Sequence, residues 1–180
     1  MASELRVDKI KPVDGIGTDT STVKYGGGII QVVHSIATNS VSQNSPSGGS
    51  TQTTLTDTGL TATITPKFST SKVLVLVHQS MHIENGNDNV QFQVNMLLRD
   101  GSNNVLRGSL QFDSLRWKNQ YAAADVYSLN FLHSPNTTSA FTYKMTMNYY
   151  YISSGGGTLT AQFGDQANCR SEMTLMEVSA

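Results

Sequence analysis

The chain has 180 residues, with 12 Lys and Arg against 13 Asp and Glu and a formal net charge of −1. The basic residues are scattered along the sequence, whereas a nucleic-acid-binding protein concentrates them on one face, so that class is excluded. No stretch approaches 18 consecutive apolar residues and no signal peptide opens the chain, which predicts a protein without a membrane span that is made in a cytoplasm. Cys169 is the single cysteine, so the fold cannot depend on an intrachain disulfide.

The segment from residue 1 to 28 differs from the rest of the chain. Its aliphatic residues are isolated in a polar background, Pro12 interrupts any helix, and three glycines end it at residues 26–28. Too little apolar surface is present for the segment to fold alone, which leaves two interpretations, a disordered tail or an arm that becomes ordered against a partner. We predict an extended N-terminal docking arm and glycine hinge over residues 1–28, with the folded domain over 29–180. The docking residues predicted in the arm are Leu5, Val7, Ile10 and Val13.

From Ile29 onwards, apolar and polar residues alternate in short runs separated by turn signals, the pattern of β-strands. Residues 73–77 are apolar on both faces, which predicts a central strand that is covered on both sides. Residues 39–50 are predicted as a loop, and Asp100-Gly101 as a hairpin turn. Eight or nine strands without helical periodicity predict an all-β fold, a single antiparallel jelly-roll sandwich. The predicted strands lie at residues 30–36, 60–64, 73–77, 90–98, 105–112, 121–131, 141–151, 159–163 and 173–178.

The sequence contains no recognisable catalytic group, metal site or cofactor motif. His78 and His82 have the HxxxH spacing, but residues four apart on a strand lie roughly 13 Å from each other and cannot share one ion. The carboxylates are separated along the chain and mostly lie at turns, so no pair is placed for hydrolysing a glycosidic bond. Nucleophile-elbow and phosphate-binding motifs are missing from the sequence as well. We therefore predict that the protein is not an enzyme.

Two aromatic features carry binding hypotheses. Trp117 lies beside Arg116 in a polar segment predicted as a loop, where it either stacks on a sugar ring or partner, or folds back over the core. With Asp88 these residues form the candidate ligand loop. Tyr149 and Tyr151 belong to a run of three tyrosines that places aromatic rings on both faces of a strand, and we predict that they form a subunit contact.

Both ends of the chain resemble known proteins. The opening Ala2-Ser3-Glu4-Leu5-Arg6-Val7-Asp8-Lys9-Ile10 resembles the start of small structural proteins of tailed bacteriophages. The closing Met173-Thr174-Leu175-Met176-Glu177-Val178 resembles the last strand of the jelly-roll domains in such proteins. This resemblance implies a homotrimer with a C1q/TNF-like jelly roll displayed outwards and an arm that docks on another virion protein.

The leading hypothesis is therefore a non-enzymatic virion structural protein, either a homotrimeric short tail fibre for host attachment or a capsid decoration protein. The alternative is a carbohydrate-binding module that recognises a host-surface glycan through loops at residues 84–89, 101–104 and 114–119. The two functions are compatible, since a fibre tip can bind sugars.

Overall fold

The computed structural model describes residues 28–37, 41–44, 55–85, 91–108, 114–118, 122–152, 159–163 and 170–179. All regular elements within these ranges are β-strands, and no helix long and apolar enough to cross a membrane occurs in them. The strands are β1 (Ile29–Ile36), β2 (Val41–Asn44), β3 (Thr56–Ile64), β4 (Lys72–Asn85), β5 (Gln91–Asp100), β6 (Val105–Arg107), β7 (Ser114–Lys118), β8 (Ala122–His133), β9 (Phe141–Ile152), β10 (Leu159–Phe163) and β11 (Glu172–Val178).

The described strands form two antiparallel sheets. Sheet A is built around β4, which pairs with β8 along one edge and with β11 and then β10 along the other, while β1 and β2 extend the sheet beyond β11 and β10. Sheet B has the order β3-β9-β5, with β6 and β7 sharing the outer edge of β5. The chain crosses from one sheet to the other after β2, β3, β4, β7, β8 and β9. This alternation gives the jelly roll that the strand pattern predicts.

The core lies between the inward faces of the two sheets. On β4 the inward residues are Val73, Val75 and Val77, and on β9 they include Tyr143 and Met145, each almost fully buried. Alternation places one residue in two on this face, and the burial of each large side chain contributes about 1.5–3 kcal/mol. Apolar alternation in β5, β9 and β11 therefore fixes which face of each of these strands turns inward.

A buried polar network crosses this core. The Thr58 hydroxyl donates to Gln79 Oε1 at 2.8 Å, and Gln79 Nε2 donates to Ser171 Oγ at 2.7 Å. Ser171 Oγ also accepts from the Ser80 backbone N–H at 3.1 Å. Because a buried amide is costly unless it is hydrogen-bonded, the network favours a single register of β3, β4 and the start of β11.

Strand directions give the sandwich two distinct ends. Gly28 and Ser179 meet at one end, where Ser179 N–H donates to the Gly28 carbonyl at 3.0 Å. We call this end the proximal pole; the connections at 65–71, 101–104 and 134–140 lie there too. The opposite end, the distal pole, carries Asn85, Gln91, Ala122 and Ile152. The arm predicted at residues 1–28 thus joins the domain at the proximal pole.

Two expectations about loops are corrected. Val41–Asn44 lies inside the predicted loop at 39–50, yet it forms β2 and pairs with Thr160–Phe163 of β10. Ser114–Lys118, predicted as loop, forms β7 and pairs with Gln91–Asn95 of β5. In each case the segment is too short or too polar for its own sequence to indicate a strand. It becomes a strand because it forms backbone hydrogen bonds with the edge of a neighbouring strand.

Candidate functional site

An apolar row crosses the outer face of sheet A near the proximal pole. Strand pairing places Val32, Met176, Leu74 and Leu132 side by side on β1, β11, β4 and β8. Val32 is 54% exposed and Leu132 51% exposed, and the two residues between them are half-buried. A contiguous apolar strip on a solvent-facing sheet is typical of a protein interface.

Strand β4 is apolar on both faces, but the described chain covers only one of them. The inward valines are buried, whereas Leu74 and Leu76 on the outward face are half-buried and lie outside the core cluster. The sequence predicts a strand that is covered on both sides. A second molecule on the outer face of sheet A would supply the missing cover.

The outer face of sheet B is different where β3 pairs with β9. It presents Thr63 and Thr142, whose hydroxyls lie 2.8 Å apart, and Lys144, whose Nζ lies 3.2 Å from Asp57 Oδ2. Hydroxyls and an exposed ion pair are compatible with water. The outer face of sheet A, which carries the apolar row, is therefore a better candidate for a subunit interface than this part of sheet B.

Above the apolar row, towards the distal pole, the outer face of sheet A carries an open groove of about 580 Å³. Charges of both signs and two polar side chains line it. Glu172 pairs with His78 across the strands, and its Oε2 lies 3.8 Å from His34 Nε2. The lining residues are His78, Ser80, Ala124, Asp125, Val126, Arg170 and Glu172.

A buried carboxylate holds the proximal pole together. Glu177 is fully buried, and its carboxylate accepts hydrogen bonds from the backbone N–H groups of Lys67 at 2.7 Å and Phe68 at 3.3 Å and from Gln31 Nε2. Burial raises the pKa of the carboxyl, but the Ser71 hydroxyl beside it and these hydrogen bonds outweigh burial and hold the pKa below its usual value. Glu177 thereby fixes the connection between β3 and β4 beneath the end of β11.

The predicted tyrosine contact is corrected for one residue. Tyr149 is fully buried between the sheets, opposite Val94, so it has no surface to offer to a second subunit. The second predicted residue, Tyr151, pairs with Gln93. The register of β9 and β5 shifts at this point, so Tyr150 is an extra, unpaired residue in the β9 backbone. The structure does not describe the Tyr151 side chain, and its contact stays a prediction.

The candidate ligand loop is placed only through its backbone. Trp117 and Arg116 belong to β7, where their backbones pair with Phe92 and Gln93 near the distal pole, and their side chains are not described. Asp88 lies outside the described residues, in the stretch of sequence between Asn85 and Gln91. The turn at residues 101–104 lies at the proximal pole, so it cannot share a site with the other two segments. The arm residues Leu5, Val7, Ile10 and Val13 also fall outside the described residues.

Within the described ranges, His, Cys, Asp and Glu side chains form no group of three that could hold a metal ion. The features that sequence reasoning missed are the apolar row, the charged groove and the Glu177 anchor. Only the row had a signal, the two-faced apolarity of residues 73–77. The groove brings together three segments of the chain that are far apart in sequence, which no local pattern reveals.

No family model and no curated protein matches the chain. Among solved structures, infectious bursal disease virus strain Gx is similar at 13% identity and a TM-score of 0.40, over 93% of this chain and 44% of that one. The VP2 subviral particle of the same virus gives 12% identity, a TM-score of 0.39, and coverages of 93% and 43%. A lipoprotein of Bacteroides thetaiotaomicron gives 10% identity, a TM-score of 0.33, and coverages of 64% and 55%. The chain thus spans less than two thirds of each of these longer proteins, and similarity at this level carries no functional argument.

Proposed function

We propose that the chain is a non-enzymatic structural protein of a tailed-phage virion. It is a homotrimeric short tail fibre or capsid decoration protein that is anchored by its N-terminal arm and displays the jelly roll outwards. The observation that carries the proposal is the apolar row on the outer face of sheet A. The different positions of the chain segments at the two poles of the domain support it. The resemblance of the two ends of the chain to small phage proteins supports the virion as the place where the protein assembles.

The apolar row supports self-association. Val32 and Leu132 are each more than half exposed at the two ends of the row, with half-buried Met176 and Leu74 between them. Burying such a strip against copies of itself removes apolar surface from water at about 25 cal/mol per Å². The polar part of the outer face of sheet B, where β3 pairs with β9, then stays in contact with solvent.

The two poles support anchoring at one end. Gly28 and Ser179 lie together at the proximal pole, so the arm over residues 1–28 leaves from the same end at which the last described strand finishes. An arm that docks there on another virion protein leaves the distal pole facing outwards. This geometry suits a displayed module.

The charged groove does not favour an enzyme. Asp125 and Glu172 are the carboxylates that line it, and both are open to solvent. General acid catalysis by a carboxyl group requires one that is kept protonated by burial or by a close like charge. Exposed carboxylates in a groove that Arg170 also lines are better suited to binding than to proton transfer.

The solution mass tests the trimer. Light scattering coupled to gel filtration should give about 58.5 kDa, three times the 19.5 kDa chain. Leu132→Arg places a charge in the apolar row and should reduce the mass towards 19.5 kDa. Val105→Arg is the matched control, because Val105 is 50% exposed on β6 of sheet B, and its mass should stay that of the wild type. A monomeric wild-type protein would overturn the proposal.

The alternative function, a carbohydrate-binding module for a host glycan, has one observation in its favour. Backbone pairing of Trp117 with Phe92 brings the predicted Trp117 site to the pole at which Asn85 and Gln91 border Asp88. An aromatic ring is suited to stacking on a sugar, so the alternative function would place its site at this end of the domain. Glycan-array binding that is lost in Trp117→Ala would favour this function, and an array without signal for the wild type would count against it.

A further inference from the structure

The groove on the outer face of sheet A holds opposite charges that have no ion-pair partner within it. Arg170 and Asp125 are both exposed, and the ion pairs found among the described residues join other side chains. Asp125 Oδ1 accepts the backbone N–H of Val126, at 2.7 Å, and Glu172 lies near His34 rather than Arg170. The groove therefore exposes a guanidinium and two carboxylates that the single chain does not pair with each other.

These charged residues are attached to well-fixed backbone. The Arg170 carbonyl accepts from the Ser80 hydroxyl at 2.8 Å, and the next residue, Ser171, is part of the buried network with Gln79. Asp125 lies on β8 opposite the core residue Met81, in the strand phase that faces the core, and its side chain is exposed at the edge of the sheet. Because the supporting strands are fixed, the charges keep a constant spacing on the surface, which favours specific recognition over loose attraction.

The groove continues the candidate subunit interface. His78, which lines the groove, follows Leu74 and Leu76 on the outward side of β4, so His78 and its cross-strand partner Glu172 border the apolar row on the same face. Interfaces commonly combine an apolar centre with a polar rim, and Arg is enriched in them. Where such a face lies at a threefold axis, the guanidinium of each copy is able to pair with a carboxylate of the next copy around the axis.

We propose that a second copy of the chain occupies this groove, with Arg170 of one copy paired to the Asp125 or Glu172 carboxylate of its neighbour. The inference rests on the proposed homotrimer and adds the contacts that set its geometry. Apolar contact is non-directional and tolerates sliding of one sheet over another. Opposite charges at fixed positions select one relative placement, because a shifted arrangement brings like charges together or leaves charges unpaired.

Charge reversal with rescue tests the pairing on the full-length protein. Arg170→Glu should raise the protein concentration at half-assembly by roughly tenfold or more, measured as mass against concentration at low salt. Combining it with Asp125→Arg, or with Glu172→Arg, should restore the wild-type concentration dependence. The control is Arg107→Glu, an equal charge reversal at an exposed position on β6 of sheet B, which should leave the mass unchanged.

The outcomes separate the two proposals. If the wild type is trimeric and Arg170→Glu assembles at the same concentration, the groove is not where the second copy docks, and the inference is overturned while the trimer stands. If Arg170→Glu weakens assembly but neither second reversal restores it, the pairing with these carboxylates is overturned. A wild-type monomer at all concentrations would remove the homotrimer itself and the inference with it.

Discussion

At the scale of single residues, Glu177 is the most constrained charge in the described part of the chain. Its carboxylate faces the backbone N–H groups of Lys67 and Phe68 and the Gln31 amide, all of them donors. In Glu177→Gln one carboxylate oxygen becomes an NH₂ group that cannot accept from them. We expect the free energy of unfolding to fall by about 2 kcal/mol at pH 7, measured by urea denaturation. Asp57→Asn is the control, because Asp57 is 59% exposed and its removal should change stability by less than about 1 kcal/mol.

The same carboxylate predicts an acid-dependent loss of stability. The folded-state pKa of Glu177 lies below its usual value of 4.5, so the unfolded chain binds this proton first as the pH falls. The stabilisation is fully present above about pH 4.5 and is lost as the pH falls through the folded-state pKa. The difference in unfolding free energy between wild type and Glu177→Gln should therefore shrink below about pH 4.5. A difference that stays constant from neutral pH to about pH 3 would contradict this assignment.

His133 should change the stability of the fold at a higher pH than Glu177 does. Its ring lies between Phe131 and Phe141 at centroid distances of 5.9 and 5.1 Å, and its Nδ1 lies 2.9 Å from the hydroxyl of Tyr143. Burial lowers the pKa of His133 below 6.5, against a smaller opposing effect of Asp100. The unfolded chain therefore takes up the proton first, and stability declines as the pH falls from about 6.5. His133→Gln should show a flatter dependence between about pH 7 and pH 5, read from thermal unfolding, and an equal slope would refute this role.

At the scale of elements, Gly108 lets the chain leave β6 beside β5. Its φ is +111°, and a Cβ added there would lie 2.8 Å from the Met96 carbonyl oxygen and 3.1 Å from Leu97 Cα. Both contacts are with backbone, which cannot move aside without disturbing β5. Gly108→Ala should lower the free energy of unfolding by about 1–3 kcal/mol. Gly28→Ala is the control, since nothing lies within 4 Å of its added Cβ, and equal stability of the two variants would contradict the prediction.

Elements with long alternation were predictable from sequence because the period of the pattern reports which face is buried. In β9, Tyr143, Met145 and Met147 lie on the core face as the pattern requires. The alternation continues to Tyr149, so the burial of Tyr149 could have been deduced from it. The prediction of a subunit contact relied instead on the run of three tyrosines. Strands β2 and β7 were not predictable, because their pairing with β10 and β5 depends on edges supplied from distant parts of the chain.

The candidate surfaces were predictable only in part for a related reason. Two-faced apolarity at residues 73–77 indicated that β4 needs cover on both sides, and the outward Leu74 and Leu76 agree with it. The groove could not be predicted from the sequence in this way. Arg170, Asp125 and Glu172 come together only because β8 and β11 lie on opposite edges of β4, a strand order that the sequence does not encode locally.

At the scale of the whole molecule, the proximal pole is where the described domain meets the N-terminal segment to which the proposed function assigns anchoring. The domain is closed there by Gly28, which bonds to Ser179 through both its N–H and its carbonyl group. Among the described residues, the core cluster and the side chains packed against it begin at Val33. Residues 1–27 should therefore be dispensable for folding and assembly, and their loss should affect only attachment.

Deleting residues 1–27 tests this division. The truncated protein should melt within a few degrees of the full-length chain and keep its number of subunits, because the strands and the apolar row of sheet A are intact. It should be missing from purified virions, measured by mass spectrometry of particles assembled with the truncated gene. A full-length variant with Leu5, Val7, Ile10 and Val13 each replaced by Asp is the control for chain length, and it should also be missing from virions. Normal incorporation of both proteins would show that the domain, rather than the arm, holds the protein on the particle.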